Sequence, residues 1–399
     1  MLINSKLLGF NIMLDRILSL SKQLKLVGFA ILAVIISSCA PQQRDTSIGP
    51  SIDVKKPVQV ALLLPKTHPK TRALSTSLEN ATLMAAGDMK NVQIHLRIYD
   101  TAGNPAQAAI QAQKAVDDGA KIILGPLFGE AANAAGMAVA DEGINVLSFS
   151  NNTSIAGGNV FILGKTFQNT SNRLLTYAKS KGKSRAVILY PDNIEGKFGR
   201  AALEKSAQKS NIEVVNSQPF EFTQKGIVNA VPLARASIEV EDADLLLLTS
   251  NSAGALPLLG QLLPESGINT EKVQFAGISR WDIPQQTLRL TGLQGGWFTT
   301  PDQVVRKNFS KRYEALYQKR PHQLAGLAFD GIAAIGALVQ TGKPHALASK
   351  GLTQSAGFEG VDGIFRFLKD RTNERGLAIA EVRNKQVYII DPAPRFFRF

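Results

Sequence analysis

The chain has 399 residues, 45 Lys and Arg against 32 Asp and Glu (net +13), and one cysteine. A hydrophobic content of 44% supports sizeable cores and excludes wholesale disorder, and the length fits two compact lobes at roughly 100–200 residues each. A lone cysteine excludes an internal disulfide, a zinc site of two or four cysteines and a CxxC redox pair.

The first element is an apolar run, Leu26–Ile36, of 11 residues, short of the about 20 that span a bilayer. Arg16, Lys22 and Lys25 precede it, and Ser37 and Ser38 follow. Basic, apolar and small-residue regions in that order make a secretory signal, with Met13 as an alternative start. Cys39 comes next, and Ile36-Ser37-Ser38-Cys39 resembles a bacterial lipobox, in which the chain is cut before the cysteine and the thiol is lipidated. The alternative is a buried helix end with an incidental cysteine. Residues 40–57 are polar with scattered proline and predict a tether. Removing residues 1–38 takes away four basic residues and one acidic one and leaves +10. That charge is dispersed over the chain as a solvated surface, and no nucleic-acid partner is predicted.

From Pro57 onward, apolar runs alternate with helical stretches. Strands are predicted at Val58–Leu64, Val92–Tyr99, Ala120–Leu124 and Ile144–Phe149, and helices near Arg72–Met89, Pro105–Asp117 and Glu130–Asp141. Continuous apolar strands alternating with helices imply a parallel sheet covered on both faces. The pattern restarts after a boundary in Asn151–Gln168. Helices near Asn169–Ser180, Phe198–Lys209, Ile227–Ser237 and Ala253–Leu263 alternate with strands Ala186–Tyr190, Ile212–Val215, Ala243–Thr249 and Val273–Ile278. Two more helices, near Val304–Tyr317 and Gln323–Leu338, precede a tail of short antiparallel strands with turns at Gly360, Gly363 and Asn384-Lys385.

Two successive α/β lobes behind a lipobox resemble the type I periplasmic-binding fold of the leucine-binding-protein-like superfamily. The resemblance is carried by VALLLP, YDTAGNPAQA, ILGPLFGEAA, INVLSFSNNTSIAG, the Leu327–Asp330 helix and GFEGVDGIFRF. It implies an α/β protein of two lobes, each a mostly parallel sheet with helices on both faces, the chain crossing between them three times. Residues 1–38 are then the signal peptide and 39–56 the lipidated cysteine and flexible tether. Residues 57–165 with about 297–345 form lobe 1, and 166–296 with about 346–399 form lobe 2. A narrower set (LGPLF, VLSFSN, VFILG, ISRWD, GGWFTTPD, GVDGIFRF, RGLAIAEVRNKQV and DPAPRFF) resembles the exported lipoproteins called penicillin-binding protein activators. That resemblance implies a non-catalytic envelope lipoprotein on the periplasmic side, anchored at Cys39, contacting a penicillin-binding peptidoglycan synthase. Ala40 in place of an aspartate implies the outer membrane. The alternative is a solute-binding lipoprotein of an ABC transporter for an amino acid or related small ligand.

In open α/β sheets ligands sit beyond the carboxyl ends of the strands, where helix N-termini favour anions. The candidate cleft residues are therefore Lys66, Leu127, Phe128, Ser148, Ser150, Asn151 and Asn152 in lobe 1, and Asp192, Glu195, Trp281 and Asp282 in lobe 2. Ordinary capping of βα loops would use the same residue types. Compared with amino-acid-binding relatives, Leu127-Phe128-Gly129 lacks a hydroxyl after Gly-Pro, and Glu195 replaces an aromatic. Glu195 or Asp282 could pair a ligand's cation. Trp297, Phe298 and the terminal Arg395–Phe399 are read as core or contact surfaces. Four scattered histidines and the absence of GxSxG, GxGxxG or P-loop patterns predict no enzyme activity, metal or cofactor.

Overall fold

The computed structural model describes residues 49–53 and 55–397. Strand β1 (Val58–Leu64) leads through α1 (Arg72–Gly87) to β2 (Ile94–Asp100), through α2 (Pro105–Asp117) to β3 (Ile122–Leu124), and through α3 (Gly129–Ala138) to β4 (Val146–Ser148). A short strand, β5 (Val160–Ile162), closes an all-parallel sheet of order β2-β1-β3-β4-β5. Helix α2 shows how local chemistry sets such elements. Asn104 caps it by accepting from the Gln107 amide, Pro105 occupies its first turn, and Gly119 (φ +96°) follows its end in the left-handed region.

Helix α4 (Phe167–Ser180) opens the second lobe. It is followed by β6 (Arg185–Pro191), α5 (Ile194–Ser210), β7 (Glu213–Phe220), α6 (Gln224–Val240), β8 (Leu245–Leu248), α7 (Leu256–Glu265), β9 (Gln274–Gly277) and β10 (Trp297–Thr300). Helices α8 (Gln303–Tyr317) and α9 (Ala325–Gln340) return to the first lobe, where α9 packs on α1. The hairpin β11 (Phe365–Phe367) and β12 (Asn373–Arg375) precedes β13 (Ala378–Arg383) and β14 (Gln386–Asp391). The second sheet runs β14-β13-β10-β9-β8-β6-β7, and β13 alone runs against the others, antiparallel to both β10 and β14. Asn384 and Lys385, at φ +52° and +62°, make the two-residue turn between them.

Alternation along each strand fills a core on both faces of both sheets. In β1, Val60, Leu62 and Leu64 join the cluster beneath α1 and α9, while Ala61 and Leu63 join the one beneath α2 and α3. In β6, Val187 and Leu189 face one way and Ala186, Ile188 and Tyr190 the other. The α/β two-lobed class expected from the alternation is the observed architecture.

Three expected boundaries move. Residues 297–300 belong with lobe 2, because β10 pairs parallel to β9 and antiparallel to β13. Residues 346–367 belong with lobe 1, because Ala346, Leu347, Leu352, Phe358, Phe365 and Phe367 complete its core. The end of the expected tether is docked: Ile52 is buried in that core, its amide donates to Pro344 O at 2.8 Å, and Gly49 is buried against Ala348. The C-terminal segment also sits on lobe 1 chemistry, with Phe397 buried under Arg366 at 4.4 Å while Phe396 stays 72% exposed.

Candidate functional site

The crossings between lobes run through Leu163–Thr166, Pro301-Asp302 and Gly376-Leu377, and side chains tie them together. Asn373 Nδ2 donates to Ile162 O and Gly164 O at 2.7 and 2.8 Å. Arg375 donates to Leu163 O at 2.7 Å and to Asp330 Oδ2 at 3.0 Å, and the Val361 amide donates to Asp330 Oδ1 at 2.7 Å. Asp330 is 0% and Arg375 6% exposed. Burial pushes the Asp330 carboxyl up to about 6 against the pull of Arg375, so at neutral pH this is an ionised pair sealed at the hinge.

Above the hinge, the carboxyl ends of the lobe 1 strands build a polar cradle. Gly125 (φ +91°) turns the chain after β3 where a Cβ would lie 2.2 Å from Leu63 O, so only glycine fits. Phe128 then precedes α3 without any side-chain cap, leaving the first-turn amides without a helical partner. Ser148 Oγ donates to Pro126 O and accepts from the Ser150 amide, and Ser150 Oγ accepts from the Asn152 amide. Asn152 Oδ1 accepts from both the amide and the hydroxyl of Ser154, which fixes its Nδ2 as an outward donor. Ser150 Oγ and Asn152 Nδ2 both lie over Gly129, each 3.4 Å from where a Cβ there would stand. Two side-chain polar groups thus converge on the open N-terminus of α3, an arrangement suited to an anionic oxygen pair.

The other expected residues fall in several places. Lys66 pairs with Glu79 at 2.8 Å, and its amide donates to Asp100. Desolvation notwithstanding, hydrogen bonds from Ala102, Thr67 and Lys66 hold the Asp100 carboxyl below the usual range. Leu127 packs against the lobe 1 core, Phe128 lies edge-on to His68 at 5.7 Å, and Asn151 is exposed. In lobe 2, Asp192 pairs with Lys197 at 2.8 Å, and exposed Glu195 accepts from Asn251 at 3.0 Å. Both oxygens of Asp282 accept from Arg280, at 2.6 and 2.5 Å, so Asp282 is no open partner for a ligand cation. Trp281 is not a ligand contact. It is fully buried, stacks on Phe298 and fills the space left by Gly277 and Gly296. Cys39, the signal segment and most of the tether lie outside the described residues.

Two cations were missed in the sequence. Arg280 stands beside Asp282, and Lys165 occupies the first crossing, the one charged residue in VFILGKTFQ. Its neighbour Gly164 packs on the backbone of Phe149 and Ser150. Burial pushes its ammonium down to about 8, with Arg280 adding to the effect and Asp362 and Asp282 opposing it.

A family model described as periplasmic binding protein matches residues 57–386. The Leu/Ile/Val-binding protein of Escherichia coli is 26% identical over 202 residues, 49% of this chain and 53% of the relative; the chain spans about half the length of the curated relatives it matches. Among solved structures, a branched-chain amino acid ABC transporter periplasmic ligand-binding protein from Burkholderia xenovorans has a TM-score of 0.67 at 17% identity, covering 86% of this chain and 94% of its own. An ABC transporter substrate-binding protein from Desulfitobacterium hafniense in complex with Leu has a TM-score of 0.61 at 16% identity, covering 84% and 100%. A solute-binding protein from R. palustris in complex with benzoate has a TM-score of 0.56 at 17% identity, covering 86% and 98%. These structures establish a shared fold.

Proposed function

We propose, since this chain belongs to the periplasmic binding protein family, that it captures a small carboxylate-bearing solute between its lobes and presents it to an ABC transporter. The observation that carries this reading is the uncapped N-terminus of α3 with Ser150 and Asn152 placed over Gly129. Leucine and benzoate, the ligands held by two proteins of the same fold, share little except a carboxylate beside an apolar body. Lobe 2 offers apolar surface for such a body in exposed Ile194 and Phe198 on the first turns of α5. Binding by closure about a hinge requires no chemistry of the protein.

A thermal-shift panel of amino acids, simple carboxylates and peptidoglycan fragments tests the reading. A ligand at 100 times its Kd adds about 2.7 kcal/mol, and Ser150→Ala should weaken the hit. No shift from any small molecule, with a peptidoglycan synthase co-purifying instead, would favour the activator role that the narrower motif set implies. The relatives fit solute binding better. The family fits a periplasmic location. Lipid anchoring at Cys39, and with it the outer membrane, is part of the proposal: Cys39→Ser should abolish incorporation of labelled fatty acid.

A further inference from the structure

Helix α8 is held to lobe 1 by one face. Phe309 and Tyr313 are its buried residues, and the rings of Phe309, Tyr313 and Tyr317 follow one another at 6.0 and 4.8 Å. Asn80 of α1 donates to Tyr313 Oη at 3.0 Å and accepts from Tyr317 Oη at 2.8 Å. From Asp302 to Arg320 the chain carries three dibasic pairs, Arg306-Lys307, Lys311-Arg312 and Lys319-Arg320, against the acids Asp302 and Glu314. In the first two pairs the arginine is engaged and the lysine is left over. Arg306 binds Asp362, and Arg312 donates to both oxygens of Asp88 at 2.6 and 2.7 Å. Asp302 caps the helix by accepting from the Val304 and Val305 amides, and Glu314 lies 3.9 Å from Arg320. Lys307, Lys311 and Lys319 are exposed, and among the described residues no carboxylate pairs with them. Lys307 and Lys311 stand one turn apart, a spacing at which like charges repel. Positive charge that is scattered along the sequence is thus gathered on the outer side of one helix.

We propose that this face of α8 docks on an anionic bilayer, its lysines meeting lipid phosphates. The composition of the face fits lipid better than protein. Protein interfaces are depleted in lysine and anchored by aromatic residues and arginine, whereas α8 turns its aromatics inward and engages both its arginines with acids of lobe 1. Exposed Val304 (67%) and Leu316 (61%) accompany the lysines, the mixture of cations and apolar side chains suited to a membrane interface. The course of the chain points the same way. Gly49 packs on Ala348 of the same lobe, and only nine residues separate it from Cys39, a reach of at most about 35 Å. With Cys39 anchored as proposed above, lobe 1 stays beside the bilayer, and α8 supplies a second, electrostatic contact. This docking does not depend on what the cleft binds.

The test uses residues 46–399, one compact unit that holds every core residue and lacks both Cys39 and the apolar run before it. Co-sedimentation compares vesicles of phosphatidylcholine alone with vesicles of phosphatidylglycerol and phosphatidylcholine in equal parts. The protein should partition into the anionic vesicles and leave them as added salt shortens the screening length. Each lysine should contribute roughly five-fold to the partition coefficient, so the triple variant Lys307→Gln, Lys311→Gln, Lys319→Gln should bind roughly 100-fold more weakly. Its thermal midpoint should be unchanged or raised, and the single variants, each losing roughly five-fold, decide the matter where the triple variant folds poorly. A control of the same net charge, Lys205→Gln, Lys209→Gln, Lys225→Gln, removes exposed lysines of lobe 2 and should bind as the wild type does. No preference for the anionic vesicles, or equal losses in the two triple variants, would overturn the proposal. So would a poly-glutamate peptide that binds this face while vesicles do not, which assigns the face to an acidic protein instead.

Discussion

Replacing Arg375 by Met removes the donor to Asp330 Oδ2 at 3.0 Å and the donor to Leu163 O at 2.7 Å. Met keeps much of the apolar stem but leaves Asp330 fully buried with only the Val361 amide. Breaking a buried pair from one side costs about 3–5 kcal/mol, and loss of the contact of Arg375 over the Phe365 ring at 5.0 Å adds about 1 kcal/mol. Urea unfolding at pH 7.5 should therefore show Arg375→Met at least about 3 kcal/mol less stable than wild type. The deficit depends on pH in a defined direction. Burial holds the Asp330 carboxyl near 6 in the wild type, and without Arg375 it titrates higher still. In the variant it therefore takes up a proton above pH 6, while the wild type still holds the ionised pair, so the deficit shrinks as the pH falls toward 6. The double variant Asp330→Leu with Arg375→Met removes both charges and should recover part of the loss. A single variant within about 1 kcal/mol of wild type at pH 7.5, less than the range for broken buried pairs, would refute the claim that this pair braces the hinge.

Lys165→Met should raise the stability of the unliganded protein at pH 7 by at most about 3 kcal/mol, since burial lowers that ammonium from 10.5 to about 8 and each unit is about 1.4 kcal/mol. The native state disfavours the proton, so wild-type stability climbs between pH 8 and 10.5, and the advantage of Lys165→Met should vanish across that window; chemical unfolding at pH 7 and 10 reads it. Gly360→Ala would set a Cβ 2.4 Å from Asp330 Oδ1 and should cost roughly 1–3 kcal/mol by overpacking, measured by urea unfolding. Gly277→Ala would strike the buried Trp281 ring 2.4 Å away, and should red-shift intrinsic fluorescence even where the chain still folds.

The sheet-and-helix alternation was legible because it is written in local periodicity. Helix α2 was read to its observed limits, Pro105–Asp117, since its cap, its proline and its terminal glycine are all local signals. Strand β5 was not read, because three residues between glycines carry no period. The placement of β10 and of residues 346–367 depends on which neighbour a segment finds in space, and order along the chain says nothing of that. The cradle was legible in part. Ser150 and Asn152 follow from their position after β4, but Trp281 looked the same as a ligand-stacking aromatic until its burial was seen. Lys165 gave only a faint signal, one cation in a crossing of apolar and small residues. The charges that act on it, Arg280, Asp362, Asp282 and Arg375, come from far along the chain and leave no local trace.

The interleaving of the lobes also dictates an order of assembly. The lobe 1 core joins residues 52–163 to residues 309–367, and the lobe 2 sheet needs β13 and β14, which end at Asp391. Neither core can close until almost the whole chain has been synthesised, and both closures join segments far apart in sequence, a topology that folds slowly. A chain cut near residue 345 would strand two open sheets with exposed edges instead of yielding one finished lobe. Both cores thus become compact only when the last strands of the chain arrive.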